Sequence, residues 1–208
     1  MDTSTNGKTW AIVGIVVALV IGAVGGYASG AMNNNKSSDS TAPTTQTVTK
    51  EGVVVGGALM VRDKDIVDNA VQANNVTTLV SLVKLAGLVD TLKSEGPFTV
   101  FAPDNAAFGK LPAATVTALQ QPENVATLKK ILTYHVVPGT YTSAALKVMA
   151  EKGQTLTSVE GEVLTPSVVN GKIVIKDANG GSSTVETADV ISSNGVTHVV
   201  DTVLQPKS

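Results

Sequence analysis

The sequence predicts an α+β fold in which helices come early in the folded region and strands come late. Apolar residues recur at helical spacing between residues 65 and 150, whereas the segments after residue 154 are strand-like. Strands and helices do not alternate along the chain, as they would in a parallel α/β sheet, and no internal repeat is visible. We therefore predict one domain, extending from residue 56 to residue 208.

Ahead of this domain, residues 10–28 form an uncharged, apolar run that predicts a transmembrane helix and signal anchor. At about 1.5 Å per residue, such a helix nearly covers a hydrocarbon core of about 30 Å, and aromatic residues stand at its two ends. Lys8 before the run indicates that residues 1–9 are cytoplasmic and that the domain is extracellular. The alternative is a signal peptide cleaved near the small residues at 27–31, which would release a secreted protein.

Small residues recur every four positions along the predicted anchor, at Gly14, Ala18, Gly22 and Gly26. On a helix they share one face, where a second helix can approach closely, and this predicts a homodimer through the anchor. The alternative interpretation is that apolar export segments are often simply rich in Gly and Ala. Residues 29–55 are mostly small and polar, which predicts a flexible linker between the anchor and the domain.

Short signals within the domain predict where its first elements begin and end. Asp65 is placed to cap a helix over the following residues, and Gly87 ends the next helix. Residues 98–102 predict a strand covered on one or both faces. Asp104 then caps a helical turn, and Phe108 falls back onto the core.

The second half of the domain continues with two helices and then strands. One predicted helix has a side formed by Val125, Leu128, Ile131, Leu132 and His135. A short helix follows near residues 143–150. Among the later strands, Asn170-Gly171 predicts a tight two-residue hairpin, and residues 177–181 predict a looser turn.

Three separated segments of the domain resemble motifs of the fasciclin family. They are GPFTVFAPDNAAFGKLP at 96–112, ILTYHVVPGTY at 131–141 and SSNGVTHVVDTVLQP at 192–206, and the helical segment at 65–92 is also similar. The resemblance implies a fasciclin-like fold, with a β-wedge of about seven strands carrying several α-helices. It also implies a surface or secreted protein associated with adhesion, and no catalytic role for the domain.

The family's tyrosine–histidine pair, which is often associated with adhesion, corresponds to Tyr134 and His135. We predict that both contact a partner, with the Tyr134 hydroxyl at the surface, because Tyr is favoured at interaction hot spots. For His135 the alternative is a histidine at the edge of the core, held by a backbone or hydroxyl partner. The apolar residues on the same helix face favour that alternative.

Composition and spacing argue against several other functions. The net charge of −2 argues against nucleic-acid binding, and the single arginine excludes a phosphate or carboxylate clamp built from several arginines. His198 and Asp201 fall on opposite sides of a predicted strand, and a zinc site lacks a third ligand beside the two histidines. We therefore predict no catalytic residue, metal site or cofactor.

The expected function is that of a non-enzymatic, single-pass, membrane-anchored adhesion module that binds an extracellular protein or glycan. One alternative is a structural cell-envelope protein that self-associates through its anchor. Another is a binder of a small apolar ligand, which requires an enclosed apolar cavity in the domain.

Overall fold

The computed structural model describes residues 52–207. The predicted anchor at 10–28, its dimer face at Gly14, Ala18, Gly22 and Gly26, and the cytoplasmic segment 1–9 lie outside these residues. So does the linker up to residue 51. Across residues 52–207, no helix has the length and apolar character needed to cross a membrane.

The described residues form nine strands and seven α-helices. The strands are β1 (Gly52–Val55), β2 (Ala58–Val61), β3 (Phe98–Pro103), β4 (Val136–Pro138), β5 (Leu156–Thr157), β6 (Val163–Val169), β7 (Lys172–Lys176), β8 (Ser182–Ser192) and β9 (Gly195–Val200). The helices are α1 (Ile66–Ala70), α2 (Thr77–Leu85), α3 (Val89–Lys93), α4 (Asn105–Gly109), α5 (Ala113–Leu119), α6 (Val125–Tyr134) and α7 (Ser143–Glu151), with a 3-10 turn at Pro122–Asn124. The helices lie before β5 and most strands lie after α7, which confirms the predicted α+β order.

Seven strands form one sheet in the order β4-β3-β9-β8-β7-β6-β5. Its neighbouring strands are antiparallel, except that β3 and β9 are parallel, with Phe98 opposite Gly195. The two edges approach each other just after β5, where the Val159 amide donates to the Val136 carbonyl at 2.7 Å. The sheet is therefore nearly closed, and the prediction of about seven strands is confirmed.

The first two strands form a separate antiparallel hairpin, with Val55 opposite Ala58. Val55 and Met60 are buried in the core, whereas the cross-strand pair Val54 and Leu59 is exposed. The hairpin begins at Gly52, inside the stretch predicted as linker, and this corrects the predicted start of the domain at residue 56. The polar composition of the preceding residues obscured a short apolar strand that packs on the core.

Two hydrophobic clusters form the core, one on each face of the sheet. Val100 and Ala102 of β3 belong to the cluster that packs under α1–α6. Phe101 belongs to the other cluster, together with Ile175 and Leu204. The stretch at 98–102 is therefore covered on both faces, which is one of the two arrangements that its sequence predicts.

The local signals also lie where the sequence predicts them. The Asp65 carboxylate accepts from the Asp68 amide at 2.7 Å at the start of α1, and the Asp104 carboxylate accepts from the Ala107 amide at 2.6 Å at the start of α4. Asn170-Gly171 joins β6 to β7 as a two-residue turn. These predictions are confirmed.

Candidate functional site

Tyr134 ends α6 and has no exposed surface. Its ring packs in the cluster that contains Phe101. Its hydroxyl donates to the Val163 carbonyl at 3.0 Å and accepts from the Ala178 amide at 2.9 Å. The prediction that this hydroxyl lies at the surface was wrong, because it satisfies two backbone groups brought in by β6 and the β7–β8 turn. Burial raises the pKa of Tyr134 to about 12, so the phenol is neutral at physiological pH.

His135 caps the C-terminal end of α6 and is 2% exposed. Its Nε2 accepts from the Leu204 amide at 3.0 Å, so the proton of the neutral ring is assigned to Nδ1, which donates to the Ile131 carbonyl at 2.8 Å. Burial lowers the pKa of His135 to about 4. The alternative of a core histidine held by backbone partners is confirmed.

Together, Tyr134 and His135 hold the β7–β8 turn and the C-terminal segment (residues 201–207) against the end of α6. The Asp177 carboxylate joins these two pieces by accepting from the Gly181 and Gln205 amides at 2.7 and 3.1 Å. The turn at 177–181 is thus confirmed as a hairpin connection. Both aromatic side chains are buried and offer almost no surface of their own; they position backbone that is nearer the surface.

Exposed and half-buried polar groups cover the outside of this arrangement. The Asn179 amide group donates to the Gln205 carbonyl at 3.0 Å, and the Lys130 ammonium donates to the Lys207 carbonyl at 2.6 Å. The Glu162 carboxylate accepts from the Lys207 amide at 2.8 Å. We call these five residues the C-terminal surface.

The second histidine, His198, lies in β9 and is fully buried. Its Nδ1 accepts from the Asp189 amide at 3.3 Å, and its Nε2 lies 2.7 Å from the Tyr141 carbonyl. The Asp201 carboxylate instead accepts from the Thr184 amide at 2.7 Å and pairs with Lys110 at 3.2 Å. The prediction that His198 and Asp201 form no couple within the strand is confirmed.

Sequence reasoning missed a polar cluster around Asp189. This residue has a left-handed backbone conformation, with φ +58°, inside β8. Its carboxylate accepts from the Ser143 amide at 2.7 Å and from the Ser143 hydroxyl at 2.5 Å, at the start of α7. The hydroxyl therefore points to the carboxylate rather than to His198, and the two bonds fix the start of α7. Only the fold brings these residues together.

An apolar cavity of about 100 Å³ lies between α1–α3 and the sheet. Its lining includes Val67, Val83, Leu92, Val100, Leu132 and Val136. Lys84 and the neutral His135 are the ionisable side chains among the described residues that line it. The cavity supplies the apolar space that the small-ligand alternative requires, although it is partly open to the surface rather than enclosed. Within residues 52–207, no group of three or more His, Asp or Glu side chains could hold a metal ion.

A family model, related sequences and a solved structure all match this chain. The family model of the fasciclin domain matches residues 74–206. Protein sll1483 of Synechocystis sp. is 47% identical over 158 residues, which are 76% of this chain and 82% of that protein. The cell surface glycolipoprotein MPB83 of Mycobacterium bovis is 37% identical over 119 residues, which are 57% of this chain and 48% of that protein.

A solved FAS1 domain pair from the insect cell adhesion molecule fasciclin I has the same fold. It matches with a TM-score of 0.63 at 23% identity, over 71% of this chain and 52% of that chain. The described residues therefore form a fasciclin-like α+β domain with a nearly closed sheet of seven strands. The chain belongs to the fasciclin family, and the resemblance drawn from its three motifs is confirmed.

Proposed function

We propose that this chain is a non-enzymatic interaction module, anchored in the membrane by residues 10–28, whose extracellular domain binds a protein or glycan. The proposal rests on the order of three segments along the sequence: an apolar run, then a polar stretch, then a fasciclin domain. A cell surface glycolipoprotein and a cell adhesion molecule among the similar proteins support an exposed location.

Within this proposal, the partner meets the C-terminal surface rather than the aromatic pair itself. Tyr134 and His135 fix the backbone of the β7–β8 turn and of the C-terminal segment. The groups that they position, at Asn179, Gln205 and Lys207, are exposed and offer both donors and acceptors. Such a polar surface suits a glycan or a polar protein epitope.

Membrane anchoring is tested by the mass of the protein recovered from the membrane fraction of intact cells. We expect the full-length mass, and we expect protease added outside the cells to remove the domain. A product that begins near residue 31 and is found in the medium would contradict the anchor and would favour cleavage.

Binding is tested with cells that carry the full chain, placed on surfaces coated either with envelope glycans or with envelope proteins of the same cells. We expect attachment to one of the two coatings, and weaker attachment with Tyr134→Phe, which removes only the hydroxyl that holds Val163 and Ala178. Tyr141→Phe is the matched control, because Tyr141 is held through its backbone amide and carbonyl.

Two results of this experiment would contradict the proposal at different levels. If cells with the native chain attach no better than cells without it, the interaction function is wrong. If attachment is strong but Tyr134→Phe leaves it unchanged, the assignment of the C-terminal surface is wrong. The loss of the hydroxyl is expected to cost about 1–3 kcal/mol of stability, so folding of the variant is checked by its unfolding transition.

A further inference from the structure

We propose that the apolar cavity is a binding site for a small hydrocarbon group, about the size of a benzene ring or a short alkyl chain, carried by a ligand with an anionic head. The inference does not depend on the adhesion proposal, because the cavity and the C-terminal surface are formed by different side chains.

The size of the cavity sets the size of the guest. Protein interiors are close-packed, with few voids larger than a water molecule, and one water occupies about 30 Å³ of liquid. A space of about 100 Å³ is well above that limit. Apolar cavities of about 150 Å³ in proteins stay dry and take up benzene or xenon. A group of about four to six carbon atoms is therefore the right scale.

The chemistry of the lining favours hydrocarbon over water. Val83, Leu92 and Val100 contribute aliphatic side chains from α2, α3 and β3. The polar groups of two other lining residues are already engaged: the Thr133 hydroxyl donates to the Lys129 carbonyl at 2.8 Å, and both ring nitrogens of His135 have backbone partners. Thr91 and Thr197 also line the cavity, but the surface that faces it is almost entirely apolar. A water molecule needs two to four polar partners, which such a surface does not offer.

The positive charge beside the cavity indicates that the head group of the ligand is anionic. Lys84 is exposed on α2 and lies among the lining residues, next to Val83. None of the described lining residues is acidic, so the local charge is positive while His135 is neutral. A ligand with a carboxylate head and an alkyl chain fits this arrangement. The carboxylate stays near the exposed Lys84 ammonium, and the alkyl chain enters the apolar cavity.

The probes are hexanoate and hexanol, which differ mainly in the charge of the head. Each is titrated into the full-length protein in lipid nanodiscs while the methyl NMR signals are followed. We expect saturable shifts of the Val83, Leu92 and Val100 methyl groups with both probes. Hexanoate should bind about twofold to fivefold more tightly, and Lys84→Gln should remove that difference.

A cavity-filling variant shows whether the ligand occupies the interior. Ala70→Leu adds three carbon atoms at a lining position of α1 and should weaken binding about tenfold or more. Val100→Ile adds only one methyl group in β3 and should weaken it less, which provides a milder variant if Ala70→Leu does not fold. Val174→Ile, buried in β7 outside the lining, is the matched control and should bind like the native protein.

Three results would overturn the inference. The binding site is wrong if neither probe gives saturable shifts at these methyl groups, or if a folded filling variant binds as well as the native protein. The anionic head is wrong if hexanoate and hexanol bind equally to the native protein. These results leave the adhesion proposal untouched, because attachment is measured separately.

Discussion

His135 couples the stability of the domain to pH through its burial. The unfolded histidine has a pKa of about 6.5, whereas burial lowers the pKa of the folded residue to about 4. Protons therefore bind preferentially to the unfolded state. The contribution of His135 to stability is fully present above pH 6.5 and is lost as the pH falls from 6.5 towards 4.

We expect the free energy of unfolding to fall by about 2 kcal/mol between pH 7 and pH 5 on account of His135. Burial also lowers the pKa of His198, which adds a loss in the same direction. Urea unfolding at the two pH values measures the change. His135→Gln should show a smaller difference between pH 7 and pH 5 than the native protein. Equal differences in the two proteins would contradict the assignment to His135.

Individual residues also show which features the sequence could predict and which it could not. The caps at Asp65 and Asp104 were predicted because each bonds an amide three residues away. The exposure of Tyr134 was predicted wrongly because its hydroxyl binds Val163 and Ala178, which are 29 and 44 residues away. Helical periodicity shows which residues share a face, but it does not show which strand will cover that face.

At the scale of elements, the β1–β2 hairpin offers a matched pair of glycines. Gly56 and Gly57 form the turn, and both have positive φ, +56° and +82°. A Cβ atom on Gly56 would lie 2.4 Å from the Asn75 side-chain oxygen and 2.6 Å from the Asn74 amide nitrogen. A Cβ atom on Gly57 would meet only the Asn74 side chain, at 3.9 Å.

We therefore expect Gly56→Ala to destabilise the protein more than Gly57→Ala. The second variant carries only the cost of an alanine at positive φ, about 1 kcal/mol, whereas the first must also displace backbone atoms. Urea unfolding of both variants at pH 7 measures the difference. Equal losses would contradict the close packing of the hairpin turn against residues 74 and 75.

The predicted anchor is an element that can be tested independently of the domain. Gly22→Ile together with Gly26→Ile places bulky side chains on the predicted contact face, and we expect this double variant to abolish a crosslinked dimer in membranes. Val20→Ile together with Val24→Ile enlarges a different part of the same helix and should leave the dimer intact. A dimer that survives both glycine substitutions would remove the self-association hypothesis.

At the scale of the whole molecule, the order of helices and strands predicted the α+β fold and the three motifs predicted the family, but neither predicted the apolar cavity or the C-terminal surface. The lining of the apolar cavity includes side chains of α1, α2, α3, α6, β3, β4 and β9, and the cavity exists only because these side chains leave space between them. The C-terminal surface likewise depends on distant segments meeting near the end of α6. Periodicity indicates that a residue is buried, whereas the remaining volume depends on packing across the domain.

The position of β9 has a consequence for how the protein is made. Among residues 52–207 this strand comes last in the sequence, yet it lies between β3 and β8 inside the sheet. While the ribosome has not yet released residues 195–200, β4 and β3 have no bonded strand linking them to the β8-β7-β6-β5 group. The domain can therefore complete its sheet only after residues 195–200 have been synthesised. In a chain truncated before Gly195, the two groups of strands would be joined only at the edge where Val159 contacts Val136.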